Sequence, residues 1–402
     1  MIDLYFPYRL YENYNFYDCK NIISEHITYS QYEKLIKNLP GFVVKEDTSH
    51  SVEGKDIHLF RIGRGPKNIL LWSQMHGNEP TGTKFFFDLV NFFSNDDFLN
   101  DFRQDIFNNL SIYFIPMLNP DGAEKNIRYN ALGLDINRDF LAEQTLEGRF
   151  LKICYFSIEP EYCFNLHNQS RNYSTINTKY KPSVLSIMAP PVDNIKTYTE
   201  NYDEAIRFCG YIYKVISNLA PGHIAKYNDS FEPTAFGDNF QALGSTTILL
   251  EAGFWKTTYK FVNKIYFIAT LNAIYSTLRN HHMKITPTIY KTIPENNSNS
   301  FDIIFKNVSY NNITIDIALN IIDDNYYVID YGDLSNYSAL QLFNLENHKL
   351  ILEVDKNNLN LILDDNIIKL NFLPRNNPAN FAIMLDNEIK ILFENGKIIT
   401  KE

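Results

Sequence analysis

The chain of 402 residues carries 37 Lys and Arg against 47 Asp and Glu, a formal net charge of -10, and 45% of its residues are hydrophobic. That length and apolar share support a full core in one large α/β domain plus a smaller one. The acidic balance, with no Lys or Arg cluster interleaved with aromatics, excludes nucleic acid as an expected partner. No run approaches eighteen uncharged apolar residues, and Met1 to Arg9 has no basic segment followed by a long apolar core, so a soluble, cytoplasmic chain without membrane contact is expected. Cys19, Cys154, Cys163 and Cys209 lack Cys-x-x-Cys spacing and sit mostly in apolar segments, the pattern of reduced buried thiols.

In chain order, residues 1–50 mix aromatic and polar positions around a short helix predicted over Ser30–Asn38 and ending before Pro40. The alternating runs from Phe42 and from Asp56, on either side of Glu53-Gly54, predict a hairpin, with His58 alternating out to solvent. Asn68 to Ser73 reads as a buried parallel strand, and Pro80 with Phe85, Phe86, Leu89 and Val90 opens a helix to about Phe93. Leu110 to Met117 is the next strand, followed by a turn at Asn119-Pro-Asp-Gly122 and an irregular loop holding Arg128, Asp135, Asn137 and Arg138. A third apolar run ends at His167, a helix is predicted over Tyr202–Asn218, a loop from Pro221 to Gly244, and a last aliphatic strand closes on Glu251. Phe261 to Leu278 is an apolar helix, and beyond Thr286 short alternating runs, among them Leu350–Val354 and Leu359–Leu363, predict a small all-β domain.

Chemistry gathers at the strand ends. His76 and Glu79 sit on one strand-to-helix connection, where an α/β sheet keeps its ligand crevice, and a His and a carboxylate so spaced can reach one cation at about 2 Å. His167 ends another strand, and a carboxylate closing an aliphatic strand, as Glu251 does, is either costly or useful. Two arginines and an amide in one loop suggest a receptor for a carboxylate.

Taken in order, His76-x-x-Glu79, Asn119-Pro-Asp-Gly122, Arg128, Asp135-x-Asn137-Arg138, His167 and the strand-terminal Glu251 resemble the zinc carboxypeptidase family, the funnelin metallopeptidases. The likeness covers roughly residues 50–280, and it is to the compact bacterial members with a C-terminal β-rich region. It implies a mixed, twisted α/β sheet flanked by helices, followed by a small all-β domain. The expected organisation is an N-terminal extension over 1–50 packed on the catalytic domain, that domain at 51–285, and a β-rich accessory domain at 286–402.

The resemblance further implies one Zn²⁺ per chain held by His76, Glu79 and His167, with Glu251 as general base and Arg128 stabilising the oxyanion. It implies a peptide substrate whose free C-terminal carboxylate is gripped by Asn137 and Arg138. Asp135 either accepts the second ring N–H of His76 or pairs with Arg138. Tyr227 is the nearest counterpart of the family's substrate-contacting tyrosine, at a different distance from the glutamate. Near Gly237, Asp238 either favours a polar or cationic C-terminal residue or is structural. Two other readings stand beside this one: an N-acyl amino acid amidohydrolase of the succinylglutamate desuccinylase/aspartoacylase type, and an inactive carboxylate-binding module.

Overall fold

In the computed structural model, which describes residues 5–22, 25–175, 181–255, 259–297, 300–310, 312–322, 325–351, 375–386 and 388–399, the buried aliphatic runs become the inner strands of a mixed sheet. The first unit, Met1–Arg171 with Pro182–Asn296, opens with helices α1 (Tyr5–Tyr17) and α2 (Tyr29–Ile36), strands β1 (Val43–His50), β2 (Asp56–Gly63) and β3 (Lys67–Ser73), then α3 (Thr81–Ser94) and α4 (Asn100–Asn109). It continues with β4 (Leu110–Ile115), α5 (Pro120–Lys125), α6 (Leu146–Ile158), β5 (Tyr162–Asn168), β6 (Leu185–Met188), α7 (Glu200–Ile216), β7 (Ile224–Lys226), α8 (Phe236–Ala242), β8 (Thr246–Ala252) and α9 (Tyr259–Arg279).

The strands lie in the order β1-β2-β4-β3-β5-β8-β6-β7. β4, β3, β5 and β8 run parallel, while β1, β2 and β6 are joined antiparallel. The parallel strands therefore deliver their carboxyl ends to one edge of the sheet, where such folds bind ligands. Alternation sorts the side chains: Ile69 and Leu71 join the larger core with α3, α7 and α9, and Leu70 and Trp72 join a second core with Phe150 of α6 and Phe236 and Phe240 of α8. No helix of the described residues is long and apolar enough to cross a membrane.

The N-terminal helix docks on α3 through charge as well as packing. Tyr14 donates to Asp88 Oδ2 at 2.7 Å, the Cys19 N–H donates to Asp88 Oδ1 at 2.7 Å, and Lys84 reaches both Asp18 (2.8 Å) and Asp88 (3.0 Å). A buried carboxylate so surrounded keeps its hydrogen bonds filled.

Three expectations need correction. His58 is 5% exposed, not at the surface. The alternation holds, since Ile57 and Leu59 face one core, but the opposite face is covered too, and His58 stacks on Phe60 at 5.5 Å with Tyr32 of α2 at 6.1 Å. Asn119 to Gly122 does not turn back. The Asn119 side chain accepts the Gly122 N–H at 2.8 Å and caps α5, with Pro120 in its first turn. Between Pro221 and Gly244 the chain forms β7 and α8; α8 starts at Ala235 with no side-chain cap, so it carries no start signal.

The second unit, Asn172–Lys181 with Asn297–Glu402, has strands and no helix among its described residues. Its strands are β9 (Ser300–Tyr310), β10 (Ile313–Ile322), β11 (Asn325–Gly332), β12 (Ser338–Asn344), β13 (Lys349–Ile351), β14 (Asn377–Pro378), β15 (Phe381–Leu385), β16 (Glu388–Glu394) and β17 (Lys397–Ile399). Ile303, Phe305, Val308, Ile317, Leu319, Phe381 and Phe393 share a core. Asn312, Asp386 and Asn395 take the left-handed conformation between strands (φ 63, 52 and 48), a use that suits short polar side chains. The expected strand Leu359–Leu363 lies outside the described residues, as does Leu350–Val354 beyond Ile351.

Candidate metal centre

The site is built where β3, β5 and β8 end. Ile69 to Trp72 are fully buried, and after Ser73 the chain turns through Gln74 (φ 46) and the buried Met75 to His76. Gly77 follows because nothing else fits: a Cβ there would lie 2.0 Å from the Gly122 carbonyl carbon. The Glu79 N–H closes the turn on the His76 carbonyl at 3.1 Å, and α3 begins two residues later.

On this turn Glu79 joins two imidazoles. His76 Nδ1 lies 2.8 Å from Glu79 Oε1, and His167 Nδ1, from the end of β5, lies 2.7 Å from Glu79 Oε2. The Asn168 N–H also donates to Oε2 at 3.1 Å. All three residues are buried, and their ligand atoms lie within 4.8 Å of one another, so the cluster could hold a metal ion. The donor set, two imidazoles and a carboxylate, is one that zinc accepts.

Around this cluster, Asp135 Oδ1 lies 3.1 Å from His76 Nε2, and Asp135 Oδ2 accepts from Arg128 Nε (3.1 Å) and Nη2 (2.9 Å). Of the two expectations for Asp135, the geometry matches the histidine contact. The arginine it pairs with is Arg128, not Arg138. Arg128 also reaches Glu79 Oε1 at 3.5 Å. Glu251 is the register partner of His167 on the adjacent strand; it is 6% exposed, and its Oε2 has no partner among the described residues.

Electrostatics follow from these contacts. Burial pulls the His76 imidazolium down, but the Glu79 charge with the bonds from Asp135 and Glu79 outweighs it and brings His76 up to about 9. His167 moves the other way, lowered by burial with only partial relief from Glu79. The two imidazoles shift in opposite directions in part because a second imidazolium beside the first, with ring centres 4.8 Å apart, is unfavourable. Burial pushes the Glu251 carboxyl well above the usual range, and the Glu79 charge adds to it. Burial opposes ionisation of Asp135, yet His76 and Arg128 hold it below its ordinary value.

The remaining residues are more dispersed. Asp135 caps the single 3₁₀ turn Ile136–Arg138, accepting the Asn137 N–H at 2.9 Å, and Asn137 Oδ1 accepts the Phe236 N–H at 3.1 Å. Arg138 is half-exposed and pairs with Glu232 at 3.5 Å, a partner that sequence reasoning did not anticipate. Asp238 is buried and its Oδ1 accepts the Glu232 N–H at 2.9 Å. Tyr227 follows β7, two strands from β8. Lys226 and Leu250 both pair with Ile187, so Tyr227 continues away from the end of β8 that carries Glu251. Sequence reasoning also passed over Gln74, whose positive φ has no signature in its residue type, and Asn168, whose backbone bonds Glu79.

Residues 28–201 match the model of the family described as zinc carboxypeptidase. The matched segment covers less than half of the chain. It contains His76, Glu79, Arg128, Asp135, Asn137, Arg138 and His167, whereas Glu251 lies beyond it. Among curated relatives, carboxypeptidase Z of Gallus gallus is 30% identical over 140 residues, 29% of this chain and 22% of that protein. Carboxypeptidase E of Caenorhabditis elegans is 28% identical over 121 residues, 25% of this chain and 26% of that protein. These matches span about a quarter of each relative's length. In fold, the chain is similar to a metallo-carboxypeptidase from Burkholderia cenocepacia, with a TM-score of 0.52 and 15% identity over 63% of this chain and 70% of that one. A metallo-carboxypeptidase from Pseudomonas aeruginosa in complex with (2-guanidinoethylmercapto)succinic acid gives 0.51 and 17% over 64% and 70%.

Proposed function

We propose that this protein is a zinc-dependent metallocarboxypeptidase that hydrolyses the C-terminal peptide bond of peptides carrying a free carboxylate. The observation that supports this reading is the convergence of His76 and His167 on Glu79 beside Glu251, whose Oε2 has no partner among the described residues. His76, Glu79 and His167 would hold the ion. Bound there, zinc acts as a Lewis acid and lowers the pKa of a water from ~15.7 to ~7. Glu251 takes the proton from the attacking water and returns it to the departing amine. In that role the buried carboxyl must be ionised, and a nearby cation favours the charged form. Arg128, held by Asp135, stabilises the negative charge developing on the carbonyl oxygen.

Asn137 and Arg138 bind the terminal carboxylate, and for Arg138 this means exchanging Glu232 for the substrate. That clamp confines cleavage to the last peptide bond. The residues named for these roles all lie within 51–285, the segment we assign to catalysis; 286–402 we assign an accessory role. The test is release of C-terminal amino acids from a peptide library varied at its last residue, set against N-acyl amino acids and against C-terminally amidated peptides. Cleavage of the free-carboxylate peptides alone is expected, and equal cleavage of amidated peptides would overturn the carboxylate clamp.

Asp238 offers a separate prediction. Burial pushes its carboxyl up to about 7. A folded pKa above the unfolded value means that stability is lost as pH rises from about 4 through 7. Asp238→Asn keeps the acceptor for the Glu232 N–H and removes the charge. It is expected to stabilise the protein at pH 8 by about 1–2 kcal/mol and to change little below pH 4, read from urea unfolding at both pH values. If Asp238 instead contacts a cationic C-terminal residue, the variant would selectively lose cleavage before Lys and Arg.

A further inference from the structure

Two residues before His76 the chain carries Gln74 at φ 46, in the left-handed region where a glycine would sit without strain. The side chain is 1% exposed. Its Nε2 donates to the Gly77 carbonyl at 2.8 Å and to the Ile27 carbonyl at 3.0 Å, while its Oε1 lies against the Thr83 hydroxyl, whose one proton it shares with the Pro116 carbonyl. Two carbonyls on one end and a hydroxyl on the other fix which end of the amide is nitrogen. The Gln74 carbonyl also accepts the Asn119 N–H at 3.0 Å, and Asn119 Nδ2 donates to the Met75 carbonyl at 3.2 Å.

We propose that Gln74 is a positioning residue, which sets the His76–Glu79 turn in metal-binding shape and ties it to the N-terminal segment at Ile27. The inference rests on the metal-site reading above. Its bonds bracket the ligand: Gly77 follows His76 directly, Thr83 stands on the helix that begins after Glu79, and Ile27 belongs to the stretch before α2. A buried amide serving only to fill the core would not require the backbone to adopt a conformation that glycine holds more easily. Here the strained φ brings the amide over the turn, so that one side chain joins three segments next to the donor atoms. A ligand turn restrained in this way loses less freedom on taking up a cation.

The experiment measures Zn²⁺ affinity by competition with a chromophoric chelator, the visible spectrum of the Co²⁺-loaded protein, and the Tm of the metal-free protein, for wild type and Gln74→Gly. Glycine relieves the strain and deletes the bonds. Zn²⁺ binding is expected to weaken about 10–100-fold, as for other groups that orient a ligand from behind, with altered Co²⁺ bands and a metal-free Tm within a few degrees of wild type. Binding within twofold of wild type with an unchanged Co²⁺ spectrum would overturn the proposal. Should Gln74→Gly not fold, Thr83→Val decides: weaker Zn²⁺ binding supports the positioning role and unchanged binding overturns it. If wild type itself takes up no Zn²⁺, the metal-site reading falls and this inference with it, an outcome distinct from a variant that binds as well as wild type.

Discussion

Glu251→Gln is expected to lower kcat for release of a C-terminal amino acid by about 10²–10⁴-fold, the usual worth of a positioned proton carrier. The two side chains have nearly the same shape, so the exchange removes the basic oxygen while leaving the packing of β8 intact. Zn²⁺ content should therefore stay at the wild-type level, since Glu251 is not among the three grouped ligand residues. KM should change little, because the clamp we propose for the carboxylate lies on the separate Asn137–Arg138 turn. Burial of this carboxyl, whose Oε2 has no partner among the described residues, makes its charge costly for the fold, so the glutamine variant should also be at least as stable as wild type. A variant that kept more than a tenth of the wild-type rate, with metal in place, would remove Glu251 from the reaction.

His167→Ala is expected to have the second large effect, through the metal and not through the proton. It deletes one of the two imidazoles that meet Glu79, and that carboxylate then keeps only His76 as its histidine partner in the cluster. The loss in Zn²⁺ affinity should exceed the about 10–100-fold typical of groups that only orient a ligand. Metal analysis after dialysis should fall from near one ion per chain toward none, and peptide hydrolysis should fall with it. Asp135→Asn makes the comparison, since it leaves all three donors in place and alters only what stands behind His76. Retention of stoichiometric zinc by His167→Ala would show that the ion, if bound, sits elsewhere.

Much of this arrangement was legible before any coordinates. The strand ends could be read because aliphatic runs such as Ile69–Trp72, bounded by turn residues, read as buried strands, and their polar successors therefore fall at the sheet's edge. His76, Glu79, His167 and Glu251 thus stand at or just beyond strand ends, and the resemblance implies the roles proposed for them. Contacts set by packing on two sides were not legible. Nothing in the alternation around His58 tells that α2 covers its face of the sheet, and no spacing links Arg138 to Glu232 across the chain. Helix α8 escaped because it begins without a capping side chain, and the left-handed Gln74 because glutamine gives no hint of it.

The way Glu79 joins both imidazoles bears on how the protein handles its ion over time. In a zinc finger the donors scatter when the ion leaves, so losing metal means losing the fold. Here His167 stands on β5, His76 and Glu79 share a hydrogen-bonded turn, and Glu79 meets both imidazoles with no ion between them. Stripping with a chelator should thus be a reversible on/off switch, in which the emptied enzyme survives intact and regains activity as fast as fresh zinc diffuses in, with no refolding lag.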